Sequence, residues 1–173
     1  FLDKTPFYAE MGGQTGDSGS VFVADQTLVI ENVLKDSSGR FLHQLKSKPE
    51  GIEFPGQQGI LTVDLERRKA IQRHHTATHV LHWALREVLG DHIRQAGSLV
   101  EPDRLRFDFS HFEGVKPEQL AEIERISNEK LLLNDDLNAY ARGGERERCS
   151  RVSFRCRRLR GWCSCCGPCC CSC

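Results

Sequence analysis

A histidine-rich stretch, Arg73-His-His-Thr-Ala-Thr-His-Val-Leu-His82, constrains the fold of this chain more than any other segment. Apolar residues within this stretch and after it recur at steps of three and four, which predicts an amphipathic helix that ends at Gly90. They are Ala77, Val80, Leu81, Ala84, Leu85, Val88 and Leu89. Because residues four apart lie one turn above each other, His75 and His79 project from one face, with His82 close by. Two imidazoles so placed can hold one metal ion.

The spacing has a second interpretation. His-x-x-x-His supplies only two ligands of a tetrahedral zinc site and lacks the glutamate of the metalloprotease motif. The three histidines could instead form a polar stripe at the edge of a core helix, each hydrogen-bonded locally. The spacing alone leaves both interpretations open.

The segment Gly12-Gly-Gln-Thr-Gly-Asp-Ser-Gly19 carries four glycines in eight residues. Glycine admits positive φ and close approach, so such a loop can present N–H groups to an oxyanion or phosphate. The same residues also suit a tight β-turn capped by Asp17. The spacing of the glycines does not decide between an anion-binding loop and a tight turn, because the lysine and the strand-loop-helix context of a P-loop are missing.

Residues 1–63 predict short strands separated by turns, packed as a small antiparallel barrel or sandwich. Apolar and β-branched runs lie at 21–24, 27–34 and 60–64, after which the chain turns helical at 65–72. The turns are predicted at 25–26, 36–39 and 49–51.

The chain after the histidine helix predicts an α+β arrangement. Strands are expected at 93–100, which carries Gln95, and at 105–110, where apolar residues alternate with polar ones. Pro117 stands at the first turn of a further helix. The apolar set of that helix is Leu120, Ile123, Ile126 and residues 131–133. This order predicts helices that cover one face of an antiparallel sheet.

Composition changes abruptly near Tyr140. Residues 141–173 hold eight Arg against two Glu and all nine cysteines, whereas the preceding residues carry a net charge of −6. We therefore predict three regions: a β-rich barrel-like part at 1–63, an α+β part at 64–140, and a tail at 141–173 that lacks a strand or helix pattern.

The tail admits three explanations. It spells Cys-Gly-Pro-Cys, as in thioredoxin-type redox sites, but no strand and helix flank it. A cysteine-rich metal knot is the second, although adjacent cysteines fit no usual ligand spacing. We favour the third, an out-of-frame or aberrantly spliced ending.

The first residue is Phe1, and we expect the chain to be a piece of a longer protein. No signal peptide or apolar stretch of 18 residues is visible, which predicts no membrane partner. The expected location is the cytoplasm, or an organelle if the parent carries a transit peptide.

Four ordered motifs stand out in the chain: Thr5-Pro-Phe-Tyr-Ala-Glu-Met-Gly-Gly-Gln-Thr-Gly-Asp-Ser-Gly19, His75-Thr-Ala-Thr-His79, Gln95-Ala-Gly-Ser-Leu-Val100 and Leu105-Arg-Phe-Asp-Phe-Ser-His111. Together they resemble the editing domain of alanyl-tRNA synthetase, shared with free-standing alanyl-tRNA editing proteins. The resemblance extends from residue 1 to about residue 140, and the run 81–90 is closer to the full synthetase.

The resemblance implies the fold, the reaction and the site. The fold would be the second additional domain of threonyl- and alanyl-tRNA synthetases. The reaction would be hydrolysis of seryl- or glycyl-tRNA(Ala), with Thr78 and Gln95 contacting the mischarged aminoacyl group. Zn²⁺ would be held by His75 and His79 with a downstream Cys-x-x-x-His pair. No histidine follows His111, so we expect an impaired site.

The same resemblance implies that the glycine loop lines the editing pocket. The pocket residues would be Gly12, Gly13, Gln14, Gly16 and Asp17. Without the resemblance, Thr78 is better explained by a hydroxyl bonded one turn back, and Gln95 by a surface amide.

The expected partner is the acceptor end of tRNA(Ala). A basic cluster could meet its phosphates, namely Arg67, Arg68, Lys69 and Arg73, but four such charges usually form a solvated face. The acidic balance of residues 1–140 argues against broad nucleic-acid or DNA binding. Three classes remain: an editing hydrolase, a non-catalytic tRNA-binding remnant, and a zinc or redox module built on the tail cysteines. The oligomeric state is not predicted.

Overall fold

The protein is represented by a computed structural model that describes residues 2–51 and 56–133, together with the backbone of 137–141 and 150–154. It separates into two compact units. The first unit comprises Phe1–His74 and Leu99–Arg104, and the second comprises His75–Ser98 and the chain from Leu105. The predicted region boundaries near residues 63 and 140 stay predictions.

The first unit contains an antiparallel sheet of four strands in the order β3-β2-β1-β4. The strands are β1 (Gly19–Val23), β2 (Gln26–Lys35), β3 (Phe41–Leu45) and β4 (Gly59–Val63). Their β-branched and aromatic side chains suit a pleated, half-buried surface. Within the described residues β3 and β4 do not pair, so the sheet is open and the expected barrel-like closure is wrong.

Short turns fix the register of this sheet. Ala24 and Asp25 both have positive φ, 48° and 58°, which is the two-residue hairpin geometry that matches strand twist. One sheet face covers a core of Phe7, Ala9, Ile30 and Val33, packed with apolar side chains from all four strands.

Helix α1 (Leu65–Leu89) starts in the first unit and continues into the second. Asp64 Oδ1 accepts a hydrogen bond from Arg67 N at 3.0 Å, as an N-cap residue does. Gly90 has φ +109° and ends the helix where the sequence predicted. The predicted apolar face is confirmed, because Val80, Ala84 and Leu85 are buried.

The second unit packs helices on a two-stranded sheet. Strands β5 (Arg94–Val100) and β6 (Leu105–Ser110) pair, and α2 (Pro117–Leu132) follows. The cluster of buried residues is Ala84, Leu85, Ile93 and Ile123, packed with Phe107 and Phe109. Both helices therefore contribute to the core over this sheet, which confirms the α+β class.

The apolar set expected to make α2 a covering helix is only partly buried. Ile123 is buried and Ile126 packs against the core, whereas Leu120 and Leu132 are 60% and 84% exposed. The prediction is wrong for these leucines: Leu132 is nine residues from Ile123 and lies on the opposite side of the helix, and Leu120 lies in the exposed first turns of α2.

Strands β7 (Leu137–Ala141) and β8 (Ser150–Phe154) pair antiparallel, with Leu137 opposite Phe154. The expected absence of strands from the tail is therefore wrong for Ser150–Phe154. The sequence Ser-Arg-Val-Ser-Phe does alternate, but it is too short to stand out among the arginines. The cysteine-rich end, residues 163–173, lies outside the described residues.

Within the described part of the chain, neither helix has the length and apolar character needed to cross a lipid bilayer.

Candidate functional site

The two predicted metal ligands converge. His75 Nε2 and His79 Nε2 lie 3.1 Å apart, with ring centroids at 4.9 Å and planes tilted by 51°. Two nitrogens bound tetrahedrally to Zn²⁺ at 2.0–2.1 Å would lie about 3.4 Å apart. The pair is therefore close to the separation of two zinc ligands, and the i, i+4 spacing on α1 accounts for it.

Burial keeps this pair in the protonation state that metals bind. Burial lowers the pKa of His79 to about 4, with smaller contributions from His75 and His82. Burial also lowers the pKa of His75. Both imidazoles are neutral at pH 7, and a neutral ring nitrogen is the donor that Zn²⁺ requires.

No third ligand joins them within the described residues, where no group of three His, Cys, Asp or Glu is placed to hold a metal. His82 does not serve, since its ring packs on Phe107 with centroids at 5.1 Å. His75 and His79 thus fit Zn²⁺ as two ligands of a larger set.

The predicted substrate contacts belong to the same unit. Thr78 lies on α1 beside His79 in sequence and is 8% exposed. Gln95 lies half-buried on β5, where its Nε2 donates to Ser98 Oγ at 3.1 Å. Gln95 is therefore held within the fold and is not a freely solvated amide.

The glycine loop, Gly12–Gly19, belongs to the first unit. Gly12 and Gly13 have φ of 63° and 84°, and Met11 and Gln14 exchange backbone hydrogen bonds of 3.2 and 3.1 Å across them. This is a tight turn of the kind that two residues with positive φ make. Gly13 O also accepts from Val100 N at 2.8 Å, which attaches the turn to the end of β5.

The other two glycines are required by close backbone approach. A Cβ on Gly16 would lie 2.5 Å from Val33 O, and one on Gly19 would lie 2.1 Å from Thr62 O. Backbone N–H groups of the loop are also used internally, because Thr15 N donates to Val100 O and Asp17 N to Tyr8 O. The local geometry therefore explains the glycines through packing.

Asp17 is held in a buried ion pair. It is 3% exposed, its Oδ2 accepts from Tyr8 N at 2.6 Å, and its carboxylate pairs with Arg68. Arg68 Nε lies 3.1 Å from Oδ2, and its Nη2 also donates to Pro6 O at 2.6 Å. Both side chains thus stabilise the first unit, whatever part they take in binding.

The rest of the predicted basic cluster is heterogeneous. Arg67 Nη2 donates to Gly16 O at 3.4 Å, and Lys69 pairs with Glu66 at 3.0 Å. Arg73 is exposed. Lys69 and Arg73 are therefore the members best placed to meet a phosphate.

The sequence did not indicate a second histidine pair in the second unit. His92 Nε2 and His111 Nδ1 lie 2.8 Å apart, and Phe112 stacks on His92 with ring centroids at 4.6 Å. The two histidines follow α1 and β6 and are 19 positions apart, so no local period joins them. Only the motif Ser110-His-Phe112 could have drawn notice.

Comparison with known proteins identifies relatives of this chain. Residues 1–67 match the family described as tRNA synthetases class II (A). The chain is 51% identical over 143 residues to an alanine–tRNA ligase of Opitutus terrae, which covers 80% of this chain and 15% of that protein. The ligase of Methylacidiphilum infernorum is 51% identical over 138 residues, with the same coverage. That of Thermotoga petrophila is 50% identical over 131 residues, covering 76% and 15%. The chain thus spans about 15% of the length of these curated relatives.

Proposed function

Since the chain belongs to the alanine–tRNA ligase family, we propose that it carries an editing reaction: hydrolysis of the ester that joins serine or glycine to tRNA(Ala). The observation that carries the proposal is the helix α1, on which two neutral imidazoles converge next to the buried Thr78. Water adds to the ester carbonyl, the bond to the ribose oxygen breaks, and that oxygen takes up a proton.

A physical need supports such a step in a ligase for alanine. A pocket sized for a methyl group cannot strongly reject glycine, which is smaller, or an analogue that adds only a hydroxyl. Discrimination of roughly 10²-fold is then the limit, and a second site that recognises the wrong product must supply the rest.

We assign recognition of the aminoacyl group to Thr78 and Gln95. Thr78 has a hydroxyl held on a rigid helix, and Gln95 has an amide restrained by Ser98. Side chains fixed by packing and hydrogen bonds can hold a substrate in position at low entropic cost. A serine hydroxyl offers them a hydrogen bond that alanine lacks.

We also propose that His75 and His79 hold Zn²⁺, which would polarise the ester carbonyl and make a bound water more acidic. Two imidazoles are half of a usual ligand set. The affinity of this chain for zinc, and its rate of hydrolysis, are therefore expected to be low.

The tRNA is the proposed partner of both units. The turn at Gly12 and Gly13 has no Cβ, so a substrate backbone can approach it closely. Lys69 and Arg73 can contribute contacts with phosphates, which add affinity without sequence preference.

The test is deacylation of seryl-tRNA(Ala) by the purified chain, with alanyl-tRNA(Ala) as the competing substrate. We expect slow, serine-selective hydrolysis that rises with added Zn²⁺. Thr78→Val should lower this selectivity with little effect on the fold, because it keeps the shape of the side chain. Thr62→Val, at an exposed position of β4 in the first unit, is the matched control.

The outcomes separate the two remaining functions. Binding of tRNA without any hydrolysis, even at saturating Zn²⁺, would identify a non-catalytic tRNA-binding module. Equal hydrolysis of seryl- and alanyl-tRNA would contradict the assigned roles of Thr78 and Gln95.

A further inference from the structure

Three rings of the second unit form a small layered structure, here called the aromatic plate: His92, His111 and Phe112. The two imidazoles lie in nearly parallel planes, 19° apart, with centroids at 5.0 Å and facing nitrogens at 2.8 Å. These values describe two rings side by side, joined by an in-plane hydrogen bond. Phe112 stacks on His92, with ring centroids at 4.6 Å and planes tilted by 21°, and its ring lies 6.4 Å from that of His111.

The hydrogen bond between His92 and His111 holds in place the His92 ring on which Phe112 stacks. His92 follows α1 and His111 follows β6, so the bond joins two segments that are each anchored in the core through Ile93 and Phe109. A centroid separation of 4.6 Å is within the range of offset aromatic stacking. The phenyl ring therefore has one face against the His92 imidazole, although it lies on the surface.

The other face of Phe112 is open. The residue is 88% exposed, the highest value among the large apolar residues of the described chain. The fold thus presents a flat aromatic surface to solvent without burying it.

We infer that the aromatic plate is a stacking site for one unpaired nucleobase of the bound tRNA, with Phe112 as the contact residue and the two histidines as positioning residues. The identity of the partner rests on the proposed function. Unpaired bases in RNA are recognised by stacking on aromatic side chains, in any sequence, because every base has a π-face.

A base fits this surface better than a protein partner does. Phe112 is flanked in the chain by His111 and by Glu113, whose side chain is 60% exposed. The core of a protein interface is depleted in charged residues and needs a contiguous apolar surface. A stacked base needs one ring face only, and its polar edges can stay in water beside the imidazoles and the carboxylate.

The experiment uses the full chain and tRNA(Ala) in which 2-aminopurine replaces, one at a time, the unpaired bases of the 3′ end. Stacking quenches the fluorescence of this base. We expect quenching at one position by the unmodified chain and by Phe112→Tyr, and its loss in Phe112→Leu. Phe22→Leu is the matched control, since Phe22 is a 45% exposed phenylalanine of the first unit.

Affinity gives an independent readout. Loss of the aromatic side chain on which one base stacks costs about 1–3 kcal/mol, so Phe112→Leu should weaken tRNA binding about 5- to 150-fold. The slope of log Kd against log salt should not change, because no phosphate contact is lost. A merely structural role of Phe112 would change the melting temperature and leave the quenching in place.

Each outcome decides one proposal. Equal quenching and affinity for the unmodified chain and Phe112→Leu would overturn the inference, as would a tRNA complex with no quenched position. A change of oligomeric state in Phe112→Leu, with tRNA binding intact, would instead identify a protein contact. Deacylation without quenching leaves the proposed function standing, whereas quenching without deacylation supports the stacking site and contradicts the hydrolase.

Discussion

The glycine loop and the histidine helix both drew attention as ligand sites, and the structure treats them differently. In the loop, Gly16 and Gly19 are required by backbone contacts, and Asp17 is buried in an ion pair with Arg68. In the helix, His75 and His79 bring two ring nitrogens to 3.1 Å, within hydrogen-bond distance, and burial lowers the pKa of both imidazoles. Packing inside the fold accounts for the loop residues, whereas the helix pair brings together the ring nitrogens that a metal ion would bind.

This difference indicates how substitutions in the two regions should behave. A side chain whose contacts are all internal stabilises the fold, so its loss should first appear as unfolding. A pair of donors held on a rigid helix contributes chemistry, so its loss should first appear in metal binding or hydrolysis. The predictions below test that separation.

The largest effect is expected for Gly19→Ala in the loop. The new Cβ would lie 2.1 Å from Thr62 O and 2.9 Å from Phe7 Cε1, so β1 and β4 could not pair in their present register. We expect a loss of about 4 kcal/mol or more in the free energy of unfolding, measured by urea denaturation. Gly114→Ala, where a Cβ meets nothing, is the control and should shift it by about 0.5 kcal/mol or less.

Asp17→Asn should have the next largest effect. It leaves the Arg68 guanidinium only 28% exposed and without its carboxylate, and breaking such a pair costs about 3 kcal/mol. Glu66→Gln breaks the exposed pair with Lys69 and should cost about 0.5 kcal/mol or less. Equal stability losses for the two variants would show that the buried pair has no special role, and the contrast between loop and helix would weaken.

The sequence predicted the regular elements of both regions well, because each carries its own period. The apolar steps of α1 and the alternation of β6 are local patterns set by contact with one core. The open sheet was not predicted, since closure depends on whether β3 and β4 meet. That pairing is a long-range contact that no local pattern encodes.

The two histidine pairs show the same limit within the candidate site. The spacing of His75 and His79 on one helix predicts their contact directly. His92 and His111 approach as closely, but they follow different elements and meet only because β6 returns beside β5. Likewise, four glycines in eight residues indicate an unusual backbone, but only the neighbours Val33 and Thr62 explain why Gly16 and Gly19 are needed.

A pH titration of stability should expose the burial of the histidine helix. The folded pKa of His79 is about 4, below its ordinary value of 6.5, so the unfolded chain binds a proton more readily. The stabilisation is therefore complete above about pH 6.5 and is lost as the pH falls toward 4. As the pH of metal-free protein is lowered from about 6.5 to 4, the free energy of unfolding should fall by about 2–3 kcal/mol more in the unmodified chain than in His79→Ala. Identical pH profiles would mean that His79 is solvated.

The smallest effect on stability, and the sharpest on chemistry, is expected for His79→Ala. Alanine favours the helix, which offsets part of the lost packing, so unfolding at pH 7.5 should change by about 1 kcal/mol or less. Zinc uptake, measured by elemental analysis after dialysis, should be lost together with any seryl-tRNA hydrolysis. His92→Ala removes an imidazole from the other pair and should retain the zinc. If His79→Ala unfolds the protein while the unmodified chain takes up no zinc, the histidines of α1 are structural, and the contrast with the glycine loop disappears.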